Sequence, residues 1–154
     1  MRRKRQRGLT LVELIVAFTI MLLLTAMAVP LARHKVRRER EKDLRLALRE
    51  IRTAIDKYKD DCDAGKLGQQ KAGNECYPET LEILAEGVKT GGASDVKKRY
   101  LRRLPKDPFT NSADWGKRSF QDDPSSLSWG GQNVFDVYTK TMEKAPDGTP
   151  YAEW

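Results

Sequence analysis

Length, composition and charge already limit what this chain can be. Its 154 residues fit one domain of ordinary size, which disfavours a two-domain enzyme. The 29 Lys and Arg residues outnumber the 22 Asp and Glu residues, but a short N-terminal tag carries five of the basic ones. These five are Arg2, Arg3, Lys4, Arg5 and Arg7. Without the tag the chain is close to neutral, so its basic composition does not indicate a nucleic-acid partner.

After the tag comes a long apolar run. From Leu9 to Ala32 there are 24 residues with one charge, that of Glu13. At about 1.5 Å per residue a helix over residues 14–31 would span roughly 27 Å, which nearly crosses the core of a bilayer. We predict a transmembrane and assembly helix over residues 9–32. A basic tag before an apolar run is also the layout of an export signal, and Ala26-Met27-Ala28 imitates a secretory cleavage site.

A second group of basic residues, between positions 33 and 45, follows the apolar run. It is interleaved with Glu39, Glu41 and Asp43. Opposite charges three and four residues apart are typical of a solvated helix, whereas a phosphate-binding stripe presents one sign of charge. We therefore expect no nucleic-acid partner.

Beyond Pro30 the apolar residues thin to one helical face. They recur at intervals of four, three, four and three residues, at Leu44, Leu48, Ile51, Ile55 and Tyr58. This spacing predicts a helix that continues over residues 33–59, with a bend expected at Pro30. About 50 helical residues would form a rod of roughly 75 Å. Its first half is too long to be buried by the remaining chain and needs lipid or other copies of itself.

The remaining residues predict a small mixed domain. Residues 60–76 have the composition of a loop, and residues 77–87 that of a two-turn helix, with Pro near its start and Gly at its end. Two β-like runs, residues 117–121 and 134–139, should pair as an antiparallel sheet against the long helix. The predicted fold class is α+β: a long N-terminal membrane-spanning helix packed on a small antiparallel β-sheet domain.

The most informative string is Gly8-Leu9-Thr10-Leu11-Val12-Glu13, between the basic tag and the apolar helix. It resembles the class III signal of type IV pilins and type II secretion pseudopilins. In that family a prepilin peptidase cuts after the Gly and methylates the new N-terminus, and a Glu is the fifth mature residue. The resemblance implies a leader over residues 1–8, a cut after Gly8, a methylated Leu9, and a pilin-like periplasmic domain over residues 33–154.

The physics of Glu13 supports an assembly role. An ionised carboxylate in hydrocarbon costs at least a few kcal/mol, so it should be neutral or paired. Cleavage after Gly8 would create an amine four residues away, at about 6 Å along the helix. Pairing Glu13 with the amine of the same or a neighbouring chain would neutralise both charges and set the register between subunits. Glu13, and Pro30 at the predicted bend, are therefore predicted to be assembly residues rather than catalytic ones.

Two strings near the C-terminus, residues 100–110 and 134–139, resemble the major pseudopilins of type II secretion. The resemblance covers the whole chain and implies a single-pass inner-membrane protein whose domain faces the periplasm. It also implies self-assembly into a helical filament, lipid contact before assembly, and two further partners: minor pseudopilins and the inner-membrane secretion platform. Two alternatives remain. One is a type IV pilin for adhesion, motility or DNA uptake; the other is a Sec-exported soluble periplasmic binding protein cut after Ala28.

Cys62 and Cys76 are the only cysteines of the chain. In an oxidising periplasm they should form a disulfide that closes a loop of about 15 residues. A zinc site would need further ligands, and the single His34 is far away in the sequence. Adhesive type IV pilins usually carry their disulfide near the C-terminus, and no cysteine follows Cys76, which favours a pseudopilin.

Two further expectations concern calcium and catalysis. Major pseudopilins bind calcium in the loop after the last strand, and Asp147-Gly148 resembles part of that loop. The neighbouring acids are replaced, however, by a stretch with Lys140, Lys144 and Pro146. Calcium needs six to eight oxygens, and the available carboxylates are those of Asp136, Glu143, Asp147 and Glu153. Calcium is thus a possible cofactor with Asp147 as its candidate ligand. No nucleophile, phosphate loop or histidine cluster indicates an enzyme.

Overall fold

The computed structural model describes residues 10–69, 71, 73–91 and 96–154, without the side chains of residues 27–32. Gly8 and Leu9, the predicted processing residues, lie outside this part of the chain. The elements in chain order are helix α1 (Leu11–Asp63), helix α2 (Glu82–Glu86), strands β1 (Val88–Lys89), β2 (Lys97–Lys98), β3 (Gly116–Arg118) and β4 (Asp136–Tyr138), and a 3-10 turn (Tyr151–Glu153). A long helix with two small antiparallel sheets confirms the α+β class.

Helix α1 is 53 residues long, and its helical backbone continues through Pro30. It ends at Asp63, four residues beyond the predicted end at Lys59. The chain divides into two compact units, with the division between Glu39 and Arg40. In the described residues, no helix has an apolar stretch long enough to span a bilayer. The predicted transmembrane segment, residues 9–32, lies partly outside the described residues, namely at Leu9 and at the side chains of 27–32.

The core of the second unit forms on the predicted face of α1. The five residues of the three–four spacing are at most 3% exposed: Leu44, Leu48, Ile51, Ile55 and Tyr58. They belong to one apolar cluster with residues from the small elements and connecting loops: Leu81, Leu84, Leu101, Trp115, Val134, Val137 and Tyr151. The apolar periodicity of the sequence therefore predicted the buried face correctly.

The predicted strand pair forms, but it is shorter than expected. Strands β3 and β4 are antiparallel, with Gly116 opposite Tyr138 and Arg118 opposite Asp136. Gly116 leaves room for the Tyr138 ring, because a Cβ atom at this position would lie 2.3 Å from that ring and the ring would have to move. The second sheet, β1 with β2, was not predicted, since each strand has only two residues and carries no alternating pattern.

Helix α2 is also shorter than the two-turn helix predicted for residues 77–87. It begins at Glu82 and has five residues. The Pro78 carbonyl accepts a hydrogen bond from the Val134 amide at 2.8 Å, so it is used by the loop before β4. Tertiary contact therefore replaces the first helical turn, which sequence signals alone could not indicate.

Candidate assembly site

The start of α1 places Glu13 in a defined local structure. The Glu13 amide donates to Thr10 Oγ1 at 3.3 Å, and the Leu14 amide donates to the Thr10 carbonyl at 3.2 Å. Thr10 therefore caps the helix, and Thr-x-x-Glu is the sequence of a capping box. Glu13 is the acidic residue of the first turn, where the helix dipole favours a negative charge. Sequence reasoning missed this local role of the Thr10–Glu13 pair, although its spacing was visible.

The residues that follow make an exposed apolar surface. The large apolar side chains of the first four turns are each 45–74% exposed: Leu11, Val12, Leu14, Ile15, Val16, Phe18, Ile20, Met21, Leu22, Leu23 and Leu24. The two hydroxyls among them donate back into the helix, Thr19 to the Ile15 carbonyl and Thr25 to the Met21 carbonyl, both at 2.8 Å. A surface without free hydroxyl donors is suited to lipid or to packing against other helices.

The disulfide predicted from the two cysteines is present. Cys62 and Cys76 are joined with a Cα–Cα distance of 5.6 Å. The bond links the last turn of α1 to the loop that precedes α2. Cys62 is itself part of the buried cluster, so the covalent link ties the loop directly to the core.

We expect reduction of this disulfide to destabilise the second unit by about 3 kcal/mol, because the unfolded chain regains the freedom of a loop of about 15 residues. The urea midpoint of the purified full chain should fall on addition of a phosphine reductant. The matched control is the Cys62→Ser/Cys76→Ser double variant, whose midpoint should already be low and should not respond. An unchanged wild-type midpoint would contradict a stabilising bond.

Near the disulfide, Asp61 anchors the end of α1 to the chain around β2. Its carboxylate accepts from Tyr100 Oη at 2.9 Å and from Lys66 Nζ at 3.3 Å, and it pairs with Lys98. The Lys98, Tyr100 and Lys66 donors lower the pKa of Asp61 from 3.8 to about 2. Burial and the Asp61 carboxylate in turn raise the pKa of Tyr100. Sequence reasoning missed this cluster; the available signal was a charged residue three positions after Tyr58, where the buried face continues.

Stability should therefore fall in acid through Asp61. Because the folded pKa is the lower one, its contribution is present above about pH 4 and is lost as the pH falls towards about 2. We expect Asp61→Asn to be less stable than wild type at neutral pH and to lose less stability between about pH 4 and about pH 2. Urea midpoints at each pH measure this. The exposed neighbour variant, Asp60→Asn, should keep the wild-type profile, and equal profiles for Asp61→Asn and wild type would refute the assignment.

A second ionic cluster holds the C-terminal residues to the core. We call Arg52, Arg118 and Asp136 the Asp136 cluster. Arg52 Nε lies 2.7 Å from Asp136 Oδ1, and Arg118 Nη1 lies 3.3 Å from Asp136 Oδ2. The same two guanidinium groups donate to the carbonyls of Trp154, at 2.7 Å, and Ala152, at 3.2 Å. One carboxylate thus connects α1, β3, β4 and the last turn.

Aromatic side chains complete this attachment. Tyr151 is fully buried, with its ring 4.4 Å from Phe109 and 4.8 Å from Trp154. Its hydroxyl donates to Glu41 Oε1 at 2.7 Å, and the Arg45 guanidinium lies 4.1 Å from the Trp154 ring. The C-terminal segment is therefore held by packing and arginine contacts.

The candidate calcium ligands do not converge. Asp136 is paired with two arginines. Asp147 is exposed, and its Oδ1 accepts the Thr149 amide at 2.9 Å, which lowers the pKa of its carboxyl. Across the ranges that the structure describes, no group of three or more His, Cys, Asp or Glu residues could hold a metal. Calcium needs six to eight oxygens, and calcium binding at Asp147 stays a prediction.

Comparison with known proteins defines the class first. The prokaryotic N-terminal methylation motif matches residues 3–29, which include Gly8, Leu9 and Glu13. A type II secretion system core protein G of Klebsiella pneumoniae is 31% identical, over 96% of this chain and 89% of its own length. The corresponding proteins of Pseudomonas aeruginosa and Klebsiella michiganensis are 28% and 29% identical, over 90% and 95% of this chain. The matched regions span 85% and 90% of those two relatives' own lengths.

The chain carries a prepilin-type N-terminus and belongs to the family of type II secretion system core protein G, the major pseudopilins. No solved structure matches it. Membership in this family confirms the resemblance inferred from the two C-terminal strings. It disfavours the two alternatives, a type IV pilin and a soluble periplasmic protein. It also implies a membrane-anchored protein that faces the periplasm and has a structural rather than an enzymatic role.

Proposed function

We propose that this chain is the structural subunit of a periplasmic pseudopilus of a type II secretion system. In this proposal, prepilin peptidase cuts after Gly8 and methylates Leu9. The mature chain is a single-pass protein of the bacterial inner membrane, residues 33–154 face the periplasm, and Glu13 and Pro30 take part in assembly. Residues 9–32 contact lipid before assembly and other subunits afterwards.

One observation carries this proposal: the capped start of α1, with Glu13 in its first turn, leads directly into the exposed apolar surface of residues 11–24. A globular protein rarely leaves apolar side chains of this size uncovered over so many turns. A bundle of copies of the same helix would cover them, and the family to which the chain belongs is named for a secretion system. Minor pseudopilins and the inner-membrane secretion platform are the further partners that we propose.

The processing step is tested by Gly8→Ala. The peptidase must approach the backbone at the cleavage site closely, so we expect the added methyl group to block cleavage almost completely while membrane insertion is retained. Intact mass of the membrane-extracted chain measures this. Wild type should start at a methylated Leu9 and Gly8→Ala should keep the leader. Gln6→Ala, within the leader but away from the cut, should be processed normally.

Other mass results would overturn the proposal. A mature wild-type chain that starts at Val29 would support the soluble periplasmic protein, since that cut removes the helix. Normal processing of Gly8→Ala would remove the class III signal. A strain that lacks this chain distinguishes the pseudopilus from a type IV pilin. Loss of protein secretion supports the pseudopilus, whereas loss of surface fibres with intact secretion supports a type IV pilin.

A further inference from the structure

The helix that carries the exposed apolar surface continues into a short segment of basic residues. Between positions 33 and 38 four of six residues are Arg or Lys, and none is acidic. Of these, Arg33, Lys35 and Arg38 are exposed and Arg37 is half-buried. The first acid is Glu39, so the interleaving of opposite charges begins only after this segment. We call residues 33–38 the basic collar.

The basic collar covers more than half of the helix circumference. At 3.6 residues per turn, Arg33, Lys35, Arg37 and Arg38 point in directions of about 0°, 200°, 40° and 140° around the axis. Such an arrangement cannot present one continuous stripe to a flat partner such as a nucleic-acid duplex. It suits a partner that contacts the helix from several sides, and the headgroups around a helix that crosses a membrane surface are such a partner.

The spacing along the helix fits the same partner. Arg33 lies 22 positions after Leu11, the first exposed apolar residue, which is about 33 Å of helix and close to the thickness of a bilayer core. The collar itself spans about 7.5 Å, comparable to one headgroup layer. When residues 11–24 lie in hydrocarbon, the collar lies among the headgroups of the leaflet that the helix leaves.

We propose that the basic collar binds the phosphate headgroups of anionic phospholipids at this leaflet. The inference rests on the proposed function, because it needs the apolar helix to be anchored in a membrane. Juxtamembrane basic side chains near an anionic surface each strengthen binding by about fivefold. The collar would therefore retain free subunits in anionic membrane, and a subunit that enters a filament must give up these headgroup contacts.

The test uses the detergent-purified full chain and native mass spectrometry of its lipid adducts. Phosphatidylglycerol is the anionic probe, and phosphatidylcholine is the neutral one. Wild type should bind phosphatidylglycerol at least about tenfold more tightly than phosphatidylcholine. The Arg33→Gln/Lys35→Gln/Arg38→Gln variant should lose this preference. The equally charged control, Arg102→Gln/Arg103→Gln/Lys106→Gln, should keep it. Arg33→Lys/Arg38→Lys, which preserves both charges, should keep it as well.

Each of the other outcomes would contradict binding of anionic headgroups by the basic collar. If the triple Gln variant keeps the preference, the lipid is held elsewhere. If millimolar inorganic phosphate removes the bound phosphatidylglycerol, the collar holds a free anion rather than a headgroup. If the variant loses duplex DNA binding that wild type shows, the partner is nucleic acid. Equal affinity of wild type for both lipids refutes headgroup binding by the collar but leaves the membrane anchor intact. A chain that carries neither lipid contradicts the proposed membrane anchor as well.

Discussion

Replacing Glu13 with Ala is expected to abolish filament assembly while the second unit, from Arg40 onward, stays folded. In a bundle of parallel helices the carboxylate would pair with the amine created by cleavage, its own or that of a neighbour. Removal of the carboxylate leaves that amine charged and unpaired in a low-dielectric bundle, which costs several kcal/mol per subunit interface. A cost of this size repeated along a filament should reduce the yield to background.

The capping geometry makes a sharper variant available. Glu13 lies three residues after Thr10, and a capping box accepts Gln as well as Glu at this position. Glu13→Gln therefore keeps the helix start and removes only the charge. We expect Glu13→Gln to fail in assembly like Glu13→Ala, whereas Thr10→Ser, which keeps the cap and the charge, should assemble.

Sedimentation and electron microscopy of sheared filaments measure these yields, and mass of the mature N-terminus controls for processing. The urea midpoint controls for folding of the second unit. Wild-type yield from Glu13→Gln would show that Glu13 acts through the helix cap and that charge pairing is not required.

Asp136→Ala is expected to lower the free energy of unfolding of the second unit by about 2–3 kcal/mol. The change removes the shared partner of Arg52 and Arg118, and the Arg118 side chain is only 8% exposed. An uncompensated buried charge costs about 3–5 kcal/mol, and partial exposure of the Arg52 side chain, at 38%, reduces the effect through solvent screening. The same change should loosen the C-terminal turn, because both guanidinium groups also hold its carbonyls.

A matched control lies on the surface. Asp114 pairs with Lys140 at 2.6 Å, but the two side chains are 70% and 47% exposed. Asp114→Ala should cost less than about 1 kcal/mol. Urea midpoints of the full chain compare the two variants, and proteolysis near Trp154 reports the loosened turn. Equal midpoints for the two variants would show that the Asp136 cluster contributes no more than a surface pair.

Local and periodic features were predictable for simple reasons. The three–four spacing of apolar residues places Leu44 to Tyr58 on one helical face whatever the rest of the chain does. Two cysteines have one possible intramolecular pairing, and the disulfide forms between them. The β3–β4 pair was predicted in place but not in length, since strand ends depend on which carbonyls and amides a partner leaves free.

Features that join distant parts of the chain were not predictable. The Asp136 cluster connects Arg52 and Asp136 across 84 residues, and neither residue has a neighbour in sequence that indicates the other. The same holds for Asp61 with Tyr100, 39 residues apart, and for the Val134 amide that shortens α2 by occupying the Pro78 carbonyl. The calcium interpretation of Asp147 stays a prediction for a related reason: a count of carboxylates does not show whether their oxygens lie close together.

The sequence by itself determined the signal at the start of the chain, the long helix with its buried and uncovered faces, and the single disulfide. Each of these follows from residues within a few turns of one another or from a unique pairing. The tertiary structure alone decided which charges are buried, where α2 and the strands begin and end, and how the C-terminal turn is held. These depend on contacts over tens of residues, whose partners are selected by packing rather than by local preference.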